Sequence, residues 1–487
     1  MGQLPAPMIY LCCVILNKRI HFFLIVWLLS FEGLHGQTIR KWTLQECIDS
    51  AIANNYQARQ LKLQSERNKA ALLQSKANLL PSLNGSANHT YNKGRRIDPF
   101  TNQFANTLVL SQNFSLSGNL TLFNGFQNTN SIKASDLGLK ASSYANIQAD
   151  NDIALNVANA FLQVLLAEEV LEIAGEQVKL SMTQAERARL LYESGRSSKG
   201  DVLQIESQLA SEQLNQVNAS SRYELALLSL AQLITLESSE GFSIQKPDFS
   251  KVDMELPPYD VKEVFVGAVE QFPAVRSAEY NFLSQQALLK SIKGGIYPTL
   301  NAFGAIGSGY SGLSKTQTGT SPTKQYIGDF QGSPLYLDVN LPVYDRTPYS
   351  DQLSQNFNRT AGFVLNVPLF NNFRVRTQIA NQKIALENAR LQKLIARNNL
   401  RRDIQTAWLD AKSSLERYYA TKKATEALSE SFAYVQQRFE VGMVTAFEYN
   451  TAKNQLFTAR SNLSQAMYEF ILRAKILDYY RGKPIKF

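Results

Sequence analysis

The stretch Leu122-Phe123-Asn124-Gly125-Phe126 returns as Leu369-Phe370-Asn371-Asn372-Phe373, and its separation, 369 − 122 = 247, persists well beyond it. Ala160-Phe161-Leu162 returns as Ala407-Trp408-Leu409, Glu193 and Gly195 as Glu440 and Gly442, and Gln208-Leu209 as Gln455-Leu456, all at 247. One register kept from Leu122 to Leu209 without an insertion is the mark of a tandem repeat. Ahead of this stretch the offset is 217, pairing Glu46 with Glu263, Ala51 with Ala268, Pro81 with Pro298 and Leu83 with Leu300. The second copy therefore carries 247 − 217 = 30 additional residues between Leu300 and Leu369.

Proline is absent between Phe100 and Lys246 and again between Phe370 and Lys483. A proline inside a helix removes a hydrogen bond and clashes with the preceding turn, so both gaps admit long helices. Residues 124–192 and 371–439 are rich in Ala, Leu and Gln, with apolar residues at helical spacing, as at Ile153, Val157, Phe161 and Val164. At about 1.5 Å per residue each is a rod of roughly 100 Å. Rods of that length gain their stability by packing side by side. Shorter helical segments, 201–236 and 447–480, follow turns centred near Gly195 and Gly442, where glycine permits the left-handed geometry that ends one helix and reverses the chain.

Between the helical stretches the period changes to two. Phe114, Leu116, Leu120 and Leu122 alternate with Ser115, Ser117, Asn119 and Thr121, and similar patterns run through 83–91, 300–306 and 361–369. Two strands per copy, in hairpins at 82–123 and 299–370, make four per chain, each with one apolar face. Strands of about ten residues cross a bilayer at a tilt with that face toward lipid. Four strands leave two open edges, which lipid does not tolerate, so a membrane location requires further copies of the chain. Within the inserted residues, alternating Leu335, Leu337, Val339 and Leu341 predict the extension of a strand.

Asn17, Lys18 and Arg19 precede an apolar run from Ile20 to Leu29 and then small or polar residues to Gly36, a pattern that predicts a signal peptide over 1–36. The extra apolar residues from Met8 to Leu16 fit a start codon assigned too early. Cys12, Cys13, His21 and His35 fall in that leader, which leaves Cys47 and His89 as the only cysteine and histidine of the mature chain. No internal disulfide can form, and zinc sites and catalytic dyads have almost nothing to use, so no catalytic, metal or cofactor residue is expected. The formal charge of +9 is spread among acidic residues instead of gathered in a stripe, which argues against nucleic acid as a partner. No later window reaches some twenty apolar residues, so a membrane-spanning helix is not expected. The chain reads as leader 1–36, first repeat 37–236, a polar linker 237–259 with three prolines, and second repeat 260–487.

Taken together, Trp42-Thr43-Leu44-Gln45-Glu46 with Ala51, Asn54 and Asn55, then Leu80, Pro81 and Leu83, the two Leu-Phe-Asn turns and the two Glu-X-Gly turns resemble the TolC family of outer-membrane efflux and secretion channels, over essentially the whole mature length. The resemblance implies a mixed α and β membrane protein. Its homotrimer would close a twelve-stranded β-barrel that continues into the periplasm as an α-helical coiled-coil barrel. It implies a passive exit duct for small molecules, a periplasmic adaptor (membrane fusion) protein and an inner-membrane transporter as partners, and outer-membrane lipid around the barrel. Type I protein secretion is the alternative within the class, and a periplasmic structural coiled coil without a pore is the alternative outside it.

The same resemblance assigns candidate residues. Val441, Gly442, Met443, Val444 and Thr445 match the family's adaptor-docking tip closely, and the Gly195-Arg196 tip matches loosely. Asp201 and Glu448 are candidates for a periplasmic gate, where threefold symmetry would make rings of carboxylates that concentrate cations. Two departures stand out: the family's second acid falls at Thr451, and the tyrosine expected to reach Asp201 is Phe439, which has no hydroxyl to donate. As an alternative, Asp201 and Glu448 are acids favoured at a helix N-terminus by its dipole. Phe123, Phe126, Phe370 and Phe373, where strand gives way to helix, are candidate membrane-interface aromatics.

Overall fold

The computed structural model describes residues 41–236, 241–247, 249, 254–256 and 260–483. The expected signal peptide lies outside them. In chain order the elements are β1 (Lys41–Trp42), α1 (Leu44–Asn54), α2 (Tyr56–Ala77), β2 (Ser82–Asn92), β3 (Arg96–Ile97), β4 (Phe104–Ala105), β5 (Val109–Phe123), α3 (Gln127–Glu193), α4 (Lys199–Leu233) and β6 (Ser243–Ile244). There follow α5 (Val261–Gln271), α6 (Pro273–Gly294), β7 (Thr299–Ser311), β8 (Lys315–Phe330), β9 (Ser333–Arg346), α7 (Tyr349–Gln355), β10 (Asn358–Asn366), α8 (Arg374–Glu440) and α9 (Ala446–Tyr480).

The tandem repeat is present down to the element boundaries. Helices α3 and α8 are both 67 residues, and α4 and α9 both 35, with every boundary shifted by 247. Helices α1 and α5 are both 11 residues, and α2 and α6 both 22, at the offset of 217. The long helices begin three residues later and end one residue later than the sequence predicts. The delay arises from the turn: Gly125 and Phe126 have φ of 65° and 62°, and Asn372 and Phe373 have φ of 53° and 58°. Two successive left-handed residues redirect the chain from strand to helix, and the helix starts only beyond them.

The described residues fall into two compact units. The first comprises residues up to Gln60, 147–272 and those from Asn399 onward. Its core joins Leu44, Cys47, Ile48 and Ala51 of α1, Val157, Phe161 and Leu165 of α3, Leu230 of α4 and Ile234 just after it, and Tyr468 of α9. Phe242 and Ile244 enter the same core, and β6 pairs in parallel with β1. The segment read as a polar linker thus contributes two buried apolar side chains, whose spacing on either side of Ser243 is that of a strand facing a core. An 18-residue window of α3 reaches a mean hydropathy of 1.4, which is not a run of twenty apolar residues, and 44% of it is buried within the chain. Apolar surface in this helix is drawn into the core described above.

The second unit comprises 61–146 and 273–398. Its sheet has the order β10-β7-β5-β2, all neighbours antiparallel. The pairing puts Leu83, Ala87, Phe114, Leu116, Leu120, Ile306, Phe363 and Leu365 on one face, and Ser86, Asn88, Ser115, Ser117, Asn119 and Asn366 on the other. Apolar side chains on that face stay exposed: Leu83 and Phe363 each keep 72% of their surface. The inserted residues do not extend a strand, as Leu335 to Leu341 had suggested. They form β9 of a separate hairpin, β8 with β9, paired only with itself among the described strands. The hairpin closes where it leaves the sheet, since the Thr347 amide donates to the Ser314 carbonyl at 3.0 Å, and the Thr316 and Thr347 hydroxyls are 2.7 Å apart. Once this local closure satisfies the strand's backbone groups, alternation no longer predicts which neighbour it takes.

Candidate functional site

The two helix reversals are built alike. The Arg196 amide donates to the Leu191 carbonyl at 2.8 Å and that of Gly195 to Tyr192 at 2.9 Å; the Met443 amide donates to Arg438 at 2.8 Å and that of Gly442 to Phe439 at 3.1 Å. These crossed bonds cap the last carbonyls of α3 and α8 and require a left-handed residue, met by φ of 73° at Gly195 and 77° at Gly442. Nothing lies within 4 Å of either glycine's missing side chain, so conformation and not crowding selects glycine. Around Gly442, Val441 and Met443 are 69% and 71% exposed, Thr445 is exposed and Val444 half-buried. The second tip is thus an apolar knob, whereas the first presents Arg196 and serines.

Beyond each reversal a hydroxyl caps the next helix. The Ser198 hydroxyl accepts from the Asp201 amide at 3.1 Å, while the Asp201 carboxylate accepts from the Ser198 amide at 3.1 Å and from the Ser198 and Ser197 hydroxyls at 2.8 and 3.2 Å. The Ser198 hydroxyl, the Ser198 amide and the Ser197 hydroxyl together hold the Asp201 carboxyl below its ordinary range. Thr445 accepts from the Glu448 amide at 3.2 Å, yet the Glu448 carboxylate is exposed and takes no hydrogen bond or ion pair among the described residues. The matched acids therefore differ: Asp201 is occupied in a capping box, and Glu448 is free.

Phe439 stacks on Tyr449 with centroids 4.5 Å apart, and Phe432 approaches the same ring at 5.5 Å. Burial pushes the Tyr449 phenol up to about 12. Among the described residues no bond joins Phe439 or Glu448 to Asp201, and the aromatic position holds α8 against α9 instead. The two tips meet where Ala446 packs against Ala188, Val202 and Ile205, and where the Arg187 guanidinium donates to the Glu440 carbonyl at 3.1 Å.

One cluster was not legible in the sequence. Lys453 of α9 and Glu212 of α4, each 1% exposed, pair at 2.7 Å. Lys453 also donates to the Ser181 hydroxyl at 2.5 Å, Ser181 donates to Glu212, and Gln208 and Gln177 donate to Glu212 at 2.9 and 3.3 Å. Gln177 further reaches Asn454 at 2.8 Å, so α3, α4 and α9 are tied at one level. At the offset of 247 the two ions are answered by Ala459 and Glu206, so no repeated motif marked them.

In the other unit, Phe123 and Phe126 meet edge to face at 5.5 Å and 86°, and Phe370 and Phe373 repeat this at 5.7 Å and 86°. All four rings are exposed; Phe123 ends β5, and Phe126, Phe370 and Phe373 lie between strand and helix.

A sheet with an exposed apolar face, long paired helices and duplicated tips set the frame for comparison with known proteins. The sequence profile of the outer membrane efflux protein family matches residues 47–235 and 268–475, one match per repeat. The chain belongs to the outer membrane efflux protein family. It is 21% identical over 464 residues to the outer membrane efflux protein BepC of Brucella suis biovar 1 (strain 1330), covering 94% of this chain and 89% of that one. Against the outer membrane protein TolC of Escherichia coli (strain K12) it is 21% identical over 403 residues, 82% of this chain and 74% of that one. The crystal structure of the Campylobacter jejuni CmeC outer membrane channel superposes with a TM-score of 0.71 at 16% identity, covering 90% of this chain and 85% of that one. This efflux-family protein is located in the outer membrane, and the resemblance carried by the Leu-Phe-Asn and Glu-X-Gly turns is a true relationship.

Proposed function

We propose that three copies of this chain close a twelve-stranded barrel in the outer membrane, continued by a periplasmic helical tunnel, as the passive exit duct of a tripartite export system for small molecules. The observation that carries this reading is the four-stranded sheet itself: one face apolar and exposed, and two outer strands whose outer edges pair with nothing among the described residues. Such a sheet is stable in lipid only when closed, and three sheets of four give a barrel wide enough to conduct. The exposed aromatic pairs at Phe123, Phe126, Phe370 and Phe373 suit the inner membrane boundary. An inner-membrane transporter supplies energy, and a periplasmic adaptor docks at the tips. The Gly442 tip, with Val441 and Met443 exposed, offers that adaptor more apolar surface than the Gly195 tip. Glu448, free where Asp201 is engaged, is the acid of the gate, and Phe439 fixes the hairpin that carries it.

The protein purified from outer membranes in detergent is expected at three times the chain mass and to form cation-selective channels in planar bilayers. Glu448→Ala lowers that selectivity at least twofold. Release of the protein by salt without detergent, or a preparation that forms no channels, sinks the duct reading; unchanged selectivity in Glu448→Ala removes only the gate assignment.

A further inference from the structure

Folding gathers basic residues that the sequence shows scattered among acids. The helical segments of the second unit, residues 61–77, 127–146, 273–294 and 374–398, hold 15 basic and 4 acidic side chains, so their net charge of 15 − 4 = +11 exceeds the +9 of the whole chain. On α8 a spacing of seven sets Arg376, Lys383, Arg390 and Arg397 in one column, and on α2 Lys62, Lys69 and Lys76 form another. All seven are exposed, and among the described residues only Lys69 and Arg390 have an acidic partner, at 3.9 and 3.4 Å. Duplication did not supply the columns: the matching positions are Thr129, Asp136, Ser143 and Asp150 for the first, and Glu279, Gln286 and Lys293 for the second.

Two positions on, about half a turn round, the same helices carry uncharged residues: Gln378, Ala385, Gln392 and Asn399 on and beside the α8 column, Gln64 and Ala71 on α2. The neighbours of each helix decide which column faces out, because a helix in a closed wall turns the narrow arc between its two neighbours inward. Helix α3 reaches α2 through Ser135 and Ser142, and α6 through Tyr144 and the carbonyls of Ala134 and Ala141. Its narrow arc holds Ser131, Gly138 and Ala145, which become Gln378, Ala385 and Gln392 at the offset of 247. Helix α6, joined to α3 through Ser284 and to α8 through Gln285, sets Asn281 and Leu288 on its narrow arc, the positions of Gln64 and Ala71 in α2. The uncharged columns therefore face inward and the basic columns outward.

We propose that this outward basic face binds peptidoglycan, through the free carboxylates of its peptides. It rests on the channel reading, which sets these helices in the periplasm beside the membrane. The α8 column rises roughly 30 Å along its helix, whereas the field of a charged surface fades over about 8 Å at physiological salt, so a bilayer would reach only the first of its four charges. Protein interfaces are depleted in lysine and enriched in aromatic residues. Here four of the seven charges are lysines, and Ala380, Glu387 and Leu394 stand between the rungs of the α8 column. A hydrated polymer with repeated carboxylates suits such a face, since each long side chain finds its own anion without a packed apolar centre.

Retention on peptidoglycan tests the assignment. The full chain, purified in detergent, is expected to sediment with protein-free peptidoglycan, to be released at about 0.5 M salt, and to lose retention once the peptidoglycan carboxylates are amidated. Lys383→Gln with Arg390→Gln and Arg397→Gln, at the parental oligomer mass, should weaken retention about fivefold or more. Lys412→Gln with Lys422→Gln and Lys423→Gln removes the same charge from the part of α8 in the first unit and should change retention less than about twofold. Equal loss in the two variants, or retention indifferent to amidation, overturns the proposal. Stronger binding to phosphatidylglycerol vesicles with the same variant dependence also overturns it and assigns the face to the membrane. A parent that forms channels yet leaves peptidoglycan unbound overturns this inference alone, whereas a parent that forms no channels overturns the reading beneath it.

Discussion

At the scale of single residues, the two tip acids answer to different physics although the repeat places them alike. The folded Asp201 carboxyl lies below its ordinary range, so its contribution to the α4 cap is complete above the unfolded value and is lost as pH falls through the lower folded one. Amide protection at residues 198–202, taken relative to the intrinsic exchange rate at each pH, should fall below about pH 4 and show no such step in Asp201→Asn. Lys453 makes a sharper case. Lys453→Met leaves the Glu212 carboxylate buried without its counter-charge, which should cost about 3–5 kcal/mol. Lys453→Met with Glu212→Leu should recover most of that loss in thermal unfolding, because the expense lies in an unpaired buried ion and not in losing the pair. A double variant as unstable as the single one would show that the amides of Gln177 and Gln208 carry the site. The Lys453–Glu212 pair was not legible in sequence, whereas the place of Asp201 and Glu448 at helix N-termini was; only the tertiary structure shows that Thr445 and Glu448 lack the reciprocal bond.

At the scale of elements, helix existence and repeat register were legible because proline gaps and constant offsets are properties of the chain alone. The start of each long helix was not, since it depends on consecutive left-handed residues, one of them phenylalanine. Gly125 shows the same limit. A side chain there would collide with the Gly294 carbonyl oxygen, whereas Asn372 occupies the matching position of the second copy. The inserted hairpin was read as a strand extension because alternation reports a face and not a partner. Its ends already bond to each other at Ser314 and Thr347. Replacing residues 315–346 by a two-residue turn should therefore leave outer-membrane yield and oligomer mass within about twofold of the parent, by fractionation and sizing in detergent. Loss of the oligomer would show that the hairpin takes part in assembly.

At the scale of the whole molecule, the four strands present one apolar and one polar face, and in the proposed barrel the polar face would line the lumen. Phe363→Arg, on the apolar face, should lower the stability of the assembled protein by about 2 kcal/mol or more, whereas Val364→Arg, one residue on, should cost less than about 1 kcal/mol. Denaturant titration in detergent, with heat-modified gel mobility as readout, separates the two; equal effects would contradict a lipid-facing Phe363. Duplication, long helices and alternating strands were legible in the chain alone, since they are written in local periodicity and in offsets that survive divergence, and the family was legible as a resemblance carried by the Leu-Phe-Asn and Glu-X-Gly motifs. Tertiary structure alone decided that Phe242 and Ile244 enter a core, that the insertion pairs with itself, that Phe439 stacks on Tyr449, and that Lys453 lies buried against Glu212. Those outcomes depend on which surfaces meet, and a single-chain pattern records which residues avoid water but not which neighbours they find there.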